Sequence, residues 1–376
     1  MTSGAVDPFQ KSRPDALTGL RFFAALGVVI FHLNGNFGVP AVEYPLGHGV
    51  TLFFVLSGFI LTYVYEDVKG PRRLRAFYIA RFARVWPLHF VTFIAAIVLA
   101  VNTVFPTPFE TAAIAGLNLV LLQSWWPTMG AAFSFNAVSW SLSNEAFFYA
   151  LFPVLRRNLS RNWHWKLGAS LLSGFMIAWA TAVLSIPMTG APSTITAEAL
   201  GLVNPLSRLF QFMVGMCCCL AWMRFRHLLP RSFILASAVE IGIVIFGWWL
   251  GYHMTEMRGL DIVFGERVQL WMNLSNGLVP AFALLIIALA NGNGIISRLL
   301  AVPPMVFLGE ISYAIYMVHF IILVVITRFV EGLAAWPPWL ALSVYLVLTL
   351  TVSTLLFLFV EKPMRNRITG RRHATS

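Results

Sequence analysis

Apolar residues fill long stretches of the chain, and most polar residues fall into short clusters between them. A helix that crosses a bilayer needs about 20 mostly apolar residues in succession. Runs of that kind cover residues 16–36, 49–66, 78–102, 139–156, 166–186, 205–223, 232–251, 274–290, 304–330 and 338–360. They predict an all-α polytopic membrane protein with about ten transmembrane helices. One more apolar stretch, 111–124, is too short to cross. It is expected to be re-entrant or interfacial. Irregular backbone survives at membrane depth only against protein or a cavity, so this stretch is also expected to form a wall of any buried site. No internal repeat or low-complexity segment breaks the pattern. The expected organisation is an N-terminal tail over 1–15, a membrane domain over 16–361 and a basic tail over 362–376. The opening MTSGAVDPFQKSRPD has neither an apolar core nor a cleavage site, so the first span is expected to act as the uncleaved insertion signal.

Composition agrees with a bilayer as solvent. The 376 residues are 59% hydrophobic and 11% charged, where soluble domains average about 25% charged, and the mean hydropathy is +0.77. The net charge of +11 invites a nucleic-acid partner, but the placement of the charges gives another reason for it. With a cytoplasmic N-terminus, most Lys and Arg fall in loops on that side: Lys11 and Arg13, Lys69 to Arg84, Arg156 to Lys166, Arg224 to Arg231, Arg298, and Lys362 to Arg372. The opposite loops hold Arg258 and Arg267. This is the positive-inside asymmetry, with both termini cytoplasmic, and it calls for no nucleic acid. If 111–124 crossed, the loop 125–138 would be cytoplasmic, yet it has no Lys or Arg. Cys217, Cys218 and Cys219 are consecutive on one apolar run and point in different directions, which suits neither a disulfide nor a metal site.

Ionisable groups inside spans are costly and mark candidate sites. The first span, LTGLRFFAALGVVIFHLNGNF, carries Arg21 and, eleven residues on, His32. Eleven residues make close to three turns, so the two share a face about 16 Å apart along the axis. Arg81 and Arg84 in FYIARFARVWPLHF also share a face and suit a phosphate. Each of these has a plain structural reading, a snorkelling arginine or a charged anchor, but one helix face bearing both Arg21 and His32 is harder to explain that way. The fourth span begins SWSLSNEAFFY and sets Glu145 two turns from the outer surface, beside Trp140, Ser141, Ser143 and Asn144. A buried Glu needs a partner or a proton. His32 is expected at similar depth, with His319 and Arg208 in the outer half and Asn34 and His48 near the outer mouth. Ser57-Gly58 in LFFVLSGFIL suits close helix packing, and no G-x-S-x-G elbow is present. No metal-binding, Walker A or G-x-G-x-x-G pattern occurs.

Taken together, these residues resemble membrane acyltransferase family 3, the acyl-CoA-dependent O-acyltransferases of bacterial surface glycans. The resemblance rests on Arg-x10-His (Arg21, His32), FFVLSGF (53–59), RFAR (Arg81, Arg84), SWSLSNE (139–145), ISYAIYMVH (311–319) and a closing EKP (361–363), in that order over about 16–365. It implies a ten-span, stand-alone O-acetyltransferase of the bacterial inner membrane. The implied donor is acetyl-CoA, and the implied acceptor is a glycan, favoured as an exopolysaccharide or lipid-linked oligosaccharide. Arg81 and Arg84, with Arg21, are then expected to hold the donor phosphates at the cytosolic end. His32 is expected to act as general base or transient acyl carrier, oriented by Glu145. Asn34, Ser57, Trp140, Ser141, Asn144, Arg208, Tyr313 and His319 are expected to bind substrate or support the site. A proton-coupled transporter or flippase is the competing reading, since buried His, Glu and Arg also build proton relays. It would favour inverted repeats, and none is detected.

Overall fold

A computed structural model describes residues 14–33, 36–37, 42–66, 68–101, 107–254, 256, 259–330 and 336–370. Asn34 lies outside them. The described residues form helices joined by turns and loops, with one isolated β-bridge between Thr128 and Ile195. In an apolar solvent a helix satisfies its own backbone N–H and C=O groups, which is why the long apolar runs take this form.

The main helices are α1 (Asp15–Leu33), α2 (Gly49–Val64), α3 (Pro71–Val98), α4 (Pro108–Leu119), α5 (Trp140–Arg156), α6 (Leu159–Val183), α7 (Pro205–Phe225), α8 (Phe233–His253), α9 (Val279–Asn291), α10 (Pro303–Phe329), α11 (Pro338–Leu356) and α12 (Lys362–Thr369). Five of them, α3, α4, α7, α10 and α11, open on a proline, where its fixed φ suits a helix and its missing N–H costs nothing. Among the described residues nine helical stretches are long and apolar enough to cross a membrane. The fourth expected span is the one that falls outside that set. Its helix, α5, has 17 residues, about 25 Å of rise, and its first two turns are polar.

Two glycine-mediated crossings hold the centre. A side chain at Gly58 of α2 would collide with the carbonyl of Phe212 in α7, and one at Gly215 of α7 would collide with that of Val55 in α2. The same arrangement joins α1 to α10, where Gly309 abuts the carbonyl of Thr18. Only small residues let helix backbones approach this closely. Since Thr18 meets Gly309 and His32 meets His319, α1 and α10 run in the same direction. Aromatic stacking fills the layer beside them, with Phe148 on Phe212 at 5.0 Å and Phe77 on Phe152 at 5.2 Å.

One expectation is corrected here. Residues 111–124 line no part of the cavity that holds Arg21, Arg81, Arg84 and Glu145. They form all but the first three residues of α4 and a short turn that buttresses α3 and the start of α5. His89 Nε2 donates to the Asn118 carbonyl at 2.9 Å, and the Gln123 and Ser124 side chains donate to the carbonyls of Ser139 and Trp140. These buried polar side chains follow from Asn118, Gln123 and Ser124 sitting within an otherwise apolar stretch. Residues 362–369, within the basic C-terminal tail, form α12, which lies along α3.

Candidate active site

Five helices line one cavity that is partly open to its surroundings. α1 contributes Arg21, α2 contributes Phe53 and Ser57, α3 contributes Arg81 and Arg84, α5 contributes Ser141, Glu145 and Tyr149, and α10 contributes Tyr313 and Tyr316. The three arginines singled out in the sequence therefore converge from two separate helices. Each is held by an aromatic ring, an arrangement that keeps a guanidinium in place where few waters can solvate it. Arg21 stands 6.0 Å from the Phe53 ring centre. Arg81 lies between Tyr65 at 5.1 Å and Tyr149 at 5.6 Å and donates to the Tyr65 hydroxyl at 2.8 Å. Arg84 stands 5.3 Å from the Tyr313 ring and pairs with Glu361. Tyr313 in turn donates to the Val85 carbonyl at 2.7 Å, which ties α10 to α3 next to this pair.

Glu145 belongs to this cavity and not to His32, which corrects the expected pairing. Its carboxylate accepts from Ser57 at 3.2 Å and from Tyr149 one helical turn further on. Depth alone suggested His32. Along α5, however, Glu145 faces the arginines, whose positive charge is the natural compensation for a carboxylate in an apolar layer.

His32 is partnered instead by His319. His319 is fully buried, and its Nδ1 faces the main-chain carbonyls of Tyr316 at 2.7 Å and Ile315 at 3.2 Å. Carbonyls only accept, so Nδ1 carries the proton and Nε2 is left as an acceptor. His319 Nε2 lies 3.2 Å from His32 Nδ1, which also faces the Val28 carbonyl at 3.0 Å. The same logic puts a proton on His32 Nδ1 and leaves the lone pair on His32 Nε2. Hydrogen bonding thus fixes both tautomers, as second-sphere partners do for working imidazoles generally.

The cavity and the histidine pair are adjacent along α10. Tyr313, Tyr316 and His319 recur every three residues on one face. Tyr316 lines the cavity, its hydroxyl lies 2.8 Å from that of Ser141, and its ring centre stands 5.9 Å from that of His319. The Tyr316–Ser141 contact therefore separates the arginine cavity from the imidazoles.

The other expected residues are placed differently. Arg208 stacks on Trp140 at 5.3 Å and donates from Nε to the Leu202 carbonyl, beside the cavity and outside its lining. That carbonyl is available because a π-helical turn, Ala199–Val203, precedes α7. Asn144 is completely buried, and neither of its side-chain polar atoms has a partner among the described residues. The three cysteines carry no disulfide. Among the described residues no group of three or more His, Cys, Asp or Glu could hold a metal. Sequence reasoning missed Tyr149 and Tyr316. Both were within reach of helical spacing, Tyr149 four residues from Glu145 and Tyr316 three residues from both Tyr313 and His319.

The chain matches the model of an acyltransferase domain, acyltransferase family 3, over residues 15–358. It is 32% identical to acyltransferase MdmB of Streptomyces mycarofaciens, covering 96% of this chain and 93% of that protein. It is 26% identical to O-acetyltransferase OatA of Staphylococcus aureus, covering 93% of this chain but 57% of that longer protein. No solved structure matches. A multi-pass helical membrane protein with this match along nearly its whole length belongs to acyltransferase family 3.

Proposed function

We propose that this acyltransferase moves an acetyl or other short acyl group from cytosolic acyl-CoA to a sugar hydroxyl of an exopolysaccharide or lipid-linked oligosaccharide. It would do so in the bacterial inner membrane, with both termini cytoplasmic. The observation that carries the reading is the depth order on α1 and α10: three arginines around one cavity, then the Tyr316–Ser141 contact, then the His32–His319 pair. A donor made in the cytosol and an acceptor at the opposite face pose that same geometric problem. The basic loops next to Arg81 and Arg84 support placing that end in the cytosol.

Acetyl-CoA supplies an activated thioester. Arg81, Arg84 and Arg21 suit its phosphates, since guanidiniums bind phosphate bidentately and stay charged. Glu145 keeps the arginine cluster compensated when the donor is absent. His32 Nε2 takes the proton from the acceptor hydroxyl as its oxygen bonds to the acyl carbon. The C–S bond breaks, and the leaving thiolate recovers that proton from the imidazolium. His319 keeps the His32 ring in the tautomer this requires. Ligand-induced thermal shift with acetyl-CoA tests the donor site. Arg81→Ala should lose most of the wild-type shift, and an undiminished shift in both Arg81→Ala and Arg84→Ala places the donor elsewhere.

A further inference from the structure

The closing EKP segment has no part in the acyl transfer itself, yet its glutamate reaches the arginine cavity. Glu361 pairs with Arg84, and the two side chains are 1% and 11% exposed. Its second oxygen, Oε2, is buried with no hydrogen-bond partner among the described residues. The neighbouring Lys362, Pro363 and Met364 are exposed, so Glu361 alone turns inward.

Local backbone geometry accounts for that. After Leu356 the α-helical repeat of α11 gives way to a π-helical turn, Phe357–Glu361, and the α-helix resumes as α12 at Lys362. A π turn inserts one residue, which rotates the downstream residues by about 100° around the axis. Such turns are rare and frequently sit at functional sites. Phe357 at the start of the turn is buried and meets Phe307 of α10 edge-on at 6.4 Å, while α12 lies along α3. The turn is thus fixed from both sides, and the side chain it presents meets Arg84.

We propose that Glu361 is a positioning residue for donor recognition: it holds the Arg84 guanidinium against the Tyr313 ring, oriented toward the phosphates of the acyl-CoA. This rests on the reading of the arginine cavity as the donor site. The carboxylate restrains one edge of the guanidinium and the Tyr313 ring restrains one face, so Arg84 gives up little further freedom when an anion arrives. A restrained side chain binds more tightly than a mobile one by an amount equivalent to about three- to tenfold in affinity.

The test is a double-mutant cycle on the detergent-purified full chain, with coenzyme A as the probe and its dissociation constant measured by calorimetry. Glu361→Gln preserves size and one acceptor while removing the charge, and should weaken coenzyme A binding about three- to tenfold. Glu361→Asp keeps the charge and should restore part of the affinity. In an Arg84→Ala background the Glu361→Gln change should have no further effect. Should Glu361→Gln fail to accumulate, Glu361→Asp is measured alone and is expected to show a smaller weakening that vanishes in Arg84→Ala. Two outcomes overturn the positioning role while leaving the donor site intact: Arg84→Ala weakens binding and the Glu361 variants do not, or the Glu361 effect persists undiminished without Arg84. Unchanged binding in Arg84→Ala overturns Arg84 as a donor contact, and the role of Glu361 with it.

Discussion

His319 Nε2 stands 3.2 Å from His32 Nδ1, with His319 Nδ1 turned to the Tyr316 carbonyl. The order of donors and acceptors runs from a main-chain carbonyl through two imidazoles and ends in a lone pair on His32 Nε2. A base prepared in this way depends on its neighbour for tautomer and orientation. His319→Ala should lower kcat by about 10²-fold while the KM for acyl-CoA stays within about twofold, since the loss is confined to proton transfer. Steady-state kinetics on membranes decides this. A rise in KM with kcat preserved would move His319 out of the proton path.

Glu145 offers a separate check, because the structure ties it to Ser57 and Tyr149. Glu145→Leu leaves the Ser57 and Tyr149 hydroxyls without their shared acceptor and should cost about 1.5–3 kcal/mol of stability. The conservative Glu145→Gln should leave the pH dependence of kcat where it is in the wild type. A displaced pH profile in Glu145→Gln would restore the direct partnership with His32.

How far the sequence leads can be judged at these residues. Arg21, Arg81 and Arg84 are recognisable because a charge in an apolar run needs a reason, and helical spacing shows which residues share a face. Their convergence on one cavity depends on how α1 and α3 pack about α2 and α10, which spacing does not specify. The Glu145–His32 pairing fails for the same reason. Depth gives one coordinate, while rotation about α5 decides which neighbours a carboxylate meets. The turn at Phe357–Glu361 is harder still, because a π insertion shifts the periodicity on which helical spacing depends. The stretch 111–124 is legible as too short to cross, but its buried Asn118, Gln123 and Ser124 serve the adjoining helices and not the cavity.

Packing at the α2–α7 crossing positions Ser57 against Glu145. Gly58→Leu cannot be accommodated without separating the helices, since the new side chain meets the Phe212 carbonyl. It should lower stability by about 1–3 kcal/mol and reduce activity. Gly242→Leu on α8, where a side chain meets nothing within 4 Å, should do neither. Thermal unfolding of both variants in detergent compares them. Equal midpoints would mean that the crossing is not a tight constraint.

Orientation can be tested at Ser160, at the start of α6. A Ser160→Cys variant should react with an impermeant maleimide only in inside-out vesicles or permeabilised cells. Labelling of intact cells would reverse the proposed sidedness and put the arginine cavity at the outer face.

Transfer itself is decided by supplying radiolabelled acetyl-CoA to membranes that carry the native surface glycan and counting label in the glycan, for the wild type and for His32→Ala matched in abundance. The wild type should transfer label and His32→Ala should fall by about 10²-fold or more, to background. Undiminished transfer by His32→Ala, or wild-type membranes that pass no label to glycan, would contradict the proposed reaction.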